Sequence, residues 1–576
     1  MNEPRWSWLP APNTWKYHAL LLSLGIFVLG PLGGVTASYM NFSLGFYIGG
    51  QVLAGILGST VTYGYGAEGK HGANYIQTAA ASVASLSAMG VLIQAAVWMG
   101  LPQPPVWQMV LYFLCIGMFA AGVGMLYTPI LVDRMQLQFP SGLAVANILR
   151  ALTDPVLLKR SVNQLGGGMA AGFLIPMAAL KVEFIDKISF SASTFGAGMV
   201  VGARVGIPAI SAAIIGDLLT PWFVSIGWLQ DGEPYRKITF LIALGMIMGA
   251  ALLDISLILW EFAGRLKSGP KAQPEQPDWK RVNTHKLIAW VAAWGVGILA
   301  TGHLVLGQPL LYLVIALALV FVFVMVNGIS LGLTDSNPIS SAFVVSVLIM
   351  ATAGLTDAGV GLMAGAILLI STNTAADMQQ DRSTGWRLGT NRVMQFRYQA
   401  AGILMGAIMG VVFAKLFMAA YPILLQDQTV MKAADQPAQW SAAMTYKFVG
   451  VLRSLTQPKP YQLTAIWWGV GLGLAFQLAR KIVGTKNFIV DAILLPSPYA
   501  FSFGGFVNYW TSMWFGGGGI TSTLFNTLVK SKKTKDDGLP EDMSTTSLVG
   551  GGLIAGDAIA ALGIGVFGLV ATLMKS

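Results

Sequence analysis

Long apolar stretches recur along this chain, separated by short polar connections. Each stretch is near the roughly 17–25 residues a helix needs to cross a bilayer. Before residue 135 they fall at about 17–37, 42–63, 74–100 and 106–132. Others follow at about 163–180, 189–203, 206–228 and 238–262. Beyond a polar connection they resume near 286–306, 308–328, 338–354, 355–375, 398–420, 463–479, 489–508, 509–530 and 545–574. Backbone polar groups in hydrocarbon must be satisfied within the segment, which leaves helices or closed barrels. Runs of this length dictate helices. The fold class is therefore all-α: a polytopic integral membrane protein of about 16 spans, within a range of about 14 to 17. Some stretches are short or glycine-rich and read as half-spans.

Composition enters as a check. Only 10% of the 576 residues are charged and 55% are hydrophobic, against roughly 25% charged in soluble domains. The formal net charge is +10. The basic residues sit in short loops between apolar runs, so the charge reads as the positive-inside pattern of a membrane protein, not as nucleic-acid binding. Clusters at Arg265–Lys286, at Arg382, Arg387, Arg392 and Arg397, at Arg480, Lys481 and Lys486, and at Lys530–Lys535 are separated by even numbers of spans. All four can then face the cytoplasm, and so can the N-terminus. The polar segment 265–285 divides an N-terminal half, 1–264, from a C-terminal half, 286–576. The first 18 residues lack the small-residue cleavage site of a signal peptide, so the first span is expected to remain.

Several segments interrupt this pattern. The stretch Met135–Asp154 holds a Phe-Pro-Ser-Gly break, Phe139, Pro140, Ser141 and Gly142, followed by a short helical pattern with Asn147. Proline removes a backbone donor and holds the preceding residue out of the helix. A broken helix at membrane depth needs protein or a water-filled cavity around it, so the break points to a binding pathway. The alternative is a proline-started amphipathic helix at the membrane surface. A second break, with Ser497 and Pro498, lies in LLPSPYAFSFGG, 494–505. Matching breaks in two halves are a transporter pattern, and the two are expected to border one central cavity.

Polar residues inside apolar runs supply the remaining candidates. Asn74, Gln77 or Thr78, and Ser82 share one helix face, as a substrate wall or as interhelical hydrogen bonding. Arg204 lies between glycines in an apolar run, where it either serves function or snorkels from a loop. Asp377 and Asp381 are four residues apart, on one face if helical, and could exchange a proton; a solvated basic loop is the alternative. Asp557 lies in an otherwise uncharged, glycine-rich span and is the first candidate proton carrier, with the Asp377/Asp381 pair second. The single cysteine, Cys115, and four scattered histidines give no metal-ligand spacing and no disulfide. No cofactor is expected. An HExxH site and a phosphate loop are both missing from the sequence, which argues against an enzyme. Polar groups dispersed over many spans suit alternating access better than the channel alternative.

Six stretches together resemble the oligopeptide transporter (OPT) family, whose yellow stripe-like branch moves metal chelates. They are ANYIQTAAASVAS (73–85), LQFPSGLAVANIL (137–149), FGAGMVVGARVGIPA (195–209), AADMQQDRSTGWRLGT (375–390), LLPSPYAFSFGG (494–505) and GGLIAGDAIAAL (551–562). They stand in the family's order and cover the chain nearly end to end. The short loops are most similar to those of prokaryotic members. The resemblance implies a transporter of the bacterial inner (plasma) membrane, built of two related halves and coupled to protons. Small peptides, peptide-like siderophores or metal chelates are the implied substrates. Asp557 stands where the resemblance implies glutamate, and no acid directly precedes Asn74.

Overall fold

The computed structural model describes residues 5–45, 50–137, 139–179, 190–267, 277–334, 337, 339–437, 440–456, 460–532 and 544–574. Part of the polar linker, two of the lysines at 530–535 and Asp335 lie outside these residues. The chain is helical, with no strand among the described residues.

The first half contains α1 (Trp15–Ser43), α2 (Gly50–Thr62), α3 (Gly69–Ser87), α4 (Val91–Trp98), α5 (Val106–Thr128), α6 (Pro140–Ala151), α7 (Pro155–Ala179), α8 (Ala192–Val201), α9 (Ala203–Leu218) and α10 (Arg236–Lys267). The second contains α11 (Thr284–Ala300), α12 (Leu310–Thr334), α13 (Ile339–Thr352), α14 (Ala358–Leu388), α15 (Arg392–Ala420), α16 (Ala443–Thr456), α17 (Pro460–Val483), α18 (Pro498–Phe506), α19 (Tyr509–Lys532) and α20 (Thr545–Leu573). Nine segments among the described residues are long and apolar enough to cross a membrane. The sequence counts about 16 because it also counts shorter pieces. α8, α13 and α18 have 10, 14 and 9 residues. At about 1.5 Å per residue none of them spans a 30 Å hydrocarbon core.

Helices of the two sequence halves interleave. α7 packs along α20, α10 along α17, and α3 along α15, while α14 lies among α3, α5, α6, α12, α13 and α16. Glycines allow the closest of these approaches. A Cβ on Gly402 would lie 2.4 Å from the carbonyl oxygen of Ala79, and one on Gly198 would lie 1.8 Å from that of Phe515. Gly402, Gly406 and Gly410, four residues apart, all meet α3 and form a helix-packing stripe. Outward faces of α11, α12 and α17 carry exposed Val296, Val322 and Trp467. Apolar faces of this extent suit lipid, not water.

Candidate functional site

The centre of the bundle is built on α14. The polar stretch 371–392 does not form a solvated loop. α14 continues through it to Leu388, with Asp381 and Arg382 each 1% exposed. Its apolar first half sets the helix in the bundle and carries the charged half in with it. Asp377 and Asp381 therefore lie one turn apart on a buried helix.

α3 meets α14 through the polar face that its sequence marks. The Gln77 side-chain amide donates to Asp381 Oδ1 at 2.5 Å. Gln395 on α15 closes the group, donating to Thr78 Oγ1 at 3.0 Å and to the Asp381 carbonyl oxygen at 2.7 Å. Arg382 turns toward α15, donating to the carbonyl oxygen of Arg392 and to Gln395 Oε1, each at 2.9 Å. Arg392 is held in turn by both oxygens of Asp133 at 2.8 Å, with Lys280 of the linker 3.6 Å away. A Cβ on Gly385 would lie 2.6 Å from Gln395 Oε1 and 3.3 Å from Asn74 Nδ2, so glycine lets the three helices converge.

This seam is incompletely satisfied. Both polar atoms of the Asn74 amide, Gln77 Oε1, Asp381 Oδ2, Gln399 Nε2 and the hydroxyls of Ser371 and Thr374 are buried without a hydrogen-bond partner. All six residues are at most 2% exposed. Each such atom costs about 1–3 kcal/mol, and natural structures keep few of them. They are concentrated on the facing helices α3, α14 and α15.

The Phe-Pro-Ser-Gly break adjoins this seam. Phe139 is fully buried at φ +43°, and its N–H donates to Gly332 O at 2.9 Å. A bulky residue in that region is strained and is held there by its packing with Leu131, Ile329 and Ala376. Pro140 opens α6, where its missing N–H has no helical partner to lose. Thr384 Oγ1 donates to Gly142 O at 2.9 Å, and a Cβ on Gly142 would lie 2.6 Å from Gln380 O. Ser141 and Asn147 are half-buried on the same helix. The structure thus brings Asn74, Gln77, Thr78, Asp381 and Gly142 together around α14.

Other sequence candidates lie apart. Ser497 and Pro498 begin α18, which packs on α9 and α10, whereas α6 packs on α2, α3, α12 and α14. The two breaks have different neighbours and do not share the α14 seam. Arg204 has a half-exposed side chain paired with Asp491 at 2.5 Å, and Arg480 joins the same carboxylate at 2.7 Å. This ion-pair group lies outside the seam. Asp557 is buried on α20, and its Oδ2 accepts from the Ser193 backbone N–H at 2.8 Å and the Tyr39 hydroxyl at 3.2 Å. Ser193 is in the first turn of α8, so Asp557 caps a helix N-terminus. Sequence reasoning missed Gln395, Gln399, Tyr39 and the Asp133–Arg392 pair. The available signal was two glutamines four apart at the start of an apolar helix. No group of three or more His, Cys, Asp or Glu among the described residues could hold a metal.

The family model described as OPT oligopeptide transporter protein matches residues 18–567. The chain belongs to the OPT oligopeptide transporter family. That is a family of polytopic membrane transporters, in keeping with the helices long enough to span. No curated protein matches the chain.

Proposed function

We propose that this OPT-family protein is a proton-coupled symporter for oligopeptides or peptide-like compounds, and that the seam between α3, α14 and α15 borders the substrate path. The observation that carries the reading is the set of buried, partnerless amide and carboxyl atoms at Asn74, Gln77 and Asp381. A peptide backbone presents alternating N–H and C=O groups, which such atoms would meet with hydrogen bonds. Asn74, Gln77 and Thr78 then bind the substrate backbone, beside Gly142. The short loops support a prokaryotic member in a bacterial inner membrane with a cytoplasmic N-terminus.

Among the proton candidates, the geometry favours Asp381, with Asp377 one turn before it, over Asp557. Asp557 has a backbone N–H, a tyrosine hydroxyl and a helix end to offset its charge, which suits a fixed structural anion. Asp381 bonds the substrate-facing Gln77 and has a second oxygen without a partner. A proton arriving there would be felt directly at the binding residues.

The test is uptake of trialanine into proteoliposomes, with and without an inward pH gradient, alongside a mass-spectrometric screen of short peptides and metal chelates. Wild type should accumulate trialanine only with the gradient. Asp381→Asn should lose accumulation and keep exchange, while Asp557→Asn should keep both per folded molecule. Accumulation that survives a protonophore would contradict proton coupling, and uptake confined to chelates would move the substrate class.

A further inference from the structure

Three helices too short to span meet at one buried lysine. Lys447 on α16 is 9% exposed. Its ammonium donates to Ser340 Oγ at 3.1 Å, in the first turn of α13, and stands 4.2 Å from the ring centre of Phe506, the last residue of α18. No carboxylate among the described residues pairs with it. The carbonyls that end α18 have other donors: Thr239 Oγ1 donates to Gly505 O at 3.0 Å, and the Tyr235 hydroxyl donates to Val507 O at 3.1 Å.

Arg236, a neighbouring buried cation, shows the contrast. It donates to Ser441 O at 3.0 Å and Gln428 Oε1 at 2.6 Å, and stacks over Tyr446. Its charge is dispersed over carbonyl and amide oxygens. Lys447 has one hydroxyl and one aromatic face. A compact ammonium so poorly compensated is costly to bury. The first turn of α13 adds the positive end of a 14-residue helix beside it. Both fields attract an anion to the same point. Polar contacts extend from there toward α14: Asn337, two residues before α13, donates to Thr372 O at 3.4 Å and accepts from Asn327 Nδ2 at 3.0 Å.

We infer that Lys447, at the junction of α13, α16 and α18, receives an anionic group of the transported molecule, of the class of a peptide's terminal carboxylate. The inference rests on the peptide reading proposed above and names the part of the substrate that this second polar position takes.

The test compares trialanine with trialanine amide in proteoliposomes of wild type, Lys447→Gln and Lys447→Arg. Wild type should prefer the free acid about tenfold or more in kcat/KM. Lys447→Gln should lose that preference by losing acid uptake, with amide uptake kept, and Lys447→Arg should keep part of it. Removing a poorly compensated charge should leave Lys447→Gln at least as heat-stable as wild type. A preference unchanged in Lys447→Gln, or missing in wild type, overturns the inference. A second measurement does not need transport: N-acetylalanine, and not its amide, should raise the melting temperature of the purified wild type, and the shift should vanish in Lys447→Gln. If no peptide is taken up but this shift stands, the peptide reading fails and the anion site survives. If, against that expectation, Lys447→Gln and Asp335→Asn each destabilise the protein and the double variant is no worse than either, Lys447 belongs to an internal ion pair and the inference falls.

Discussion

α6 and α18 begin with the same local device and end in different surroundings. Before each, a π-helical turn carries an aspartate: Asp133 in Pro129–Arg134, and Asp491 in Val490–Leu494. A few non-helical residues follow, and then a short helix whose first residue is proline. Each aspartate holds arginine, Asp133 with Arg392 and Asp491 with Arg480 and Arg204.

Around the start of α18 both oxygens of each carboxylate are bonded, and Gln477 Oε1 is the atom left without a partner beside them. Asp254 accepts from Gln477 at 3.0 and 2.8 Å, from the Tyr499 hydroxyl at 3.1 Å, and has Lys481 at 3.2 Å. Ser502 donates to Ala243 O at 3.1 Å. Around α6 and α14, Asp381 has one oxygen without a partner and Asn74 has neither polar atom matched. The same backbone break therefore stands beside fully bonded carboxylates in one place and beside partnerless buried atoms in the other, where the proposed binding path runs. Satisfaction of the surrounding polar groups separates the two more clearly than the break itself.

Exchanging the two carboxylates for amides tests the contrast most severely. Asp381→Asn is expected to cut trialanine uptake about 100-fold, ~2.7 kcal/mol in transition-state terms, with no loss of thermal stability. Asp254→Asn should do the opposite. Uptake per folded molecule should hold, while unfolding free energy falls by about 1–3 kcal/mol as Gln477 and Tyr499 lose an ionised acceptor. Uptake and thermal-shift assays on the same preparations separate the two, and equal effects on both readouts would erase the distinction.

A smaller effect sharpens the substrate side. Gln77→Ala should raise the apparent KM for trialanine about tenfold, ~1.4 kcal/mol, with expression unchanged. An unaltered KM would confine Gln77 to packing. The smallest effect belongs to Arg204→Ala. Its half-exposed pair with Asp491 should be worth about 0–1 kcal/mol, and uptake should stay near wild type. A large transport defect there would draw the α18 region into the pathway.

Much of this was legible in the chain itself. Apolar run length gave helices, and a single polar face on 74–82 gave the seam's α3 wall. The i, i+4 spacing of Asp377 and Asp381 placed them on one turn of α14. What the sequence could not supply was partner choice. Arg204 reads as intramembrane because its neighbours are apolar, yet a long side chain can carry its charge to a carboxylate 287 residues away. Asp557 reads as a lone acid because its partners, Tyr39 and the Ser193 N–H, lie 518 and 364 residues distant. The depth at which α14 stays buried was hidden too, since its second half is polar enough to pass for a loop.

The most direct test is site-specific protection at the seam. Cys115, the only cysteine, is buried, so Cys115→Ala provides a background into which Thr374→Cys can be placed at a buried, partnerless hydroxyl. During turnover in proteoliposomes, saturating trialanine is expected to slow methanethiosulfonate labelling of that cysteine about tenfold, and Gln77→Ala should need about tenfold more trialanine for the same protection. A labelling rate unchanged at trialanine concentrations that saturate uptake would place the substrate path elsewhere.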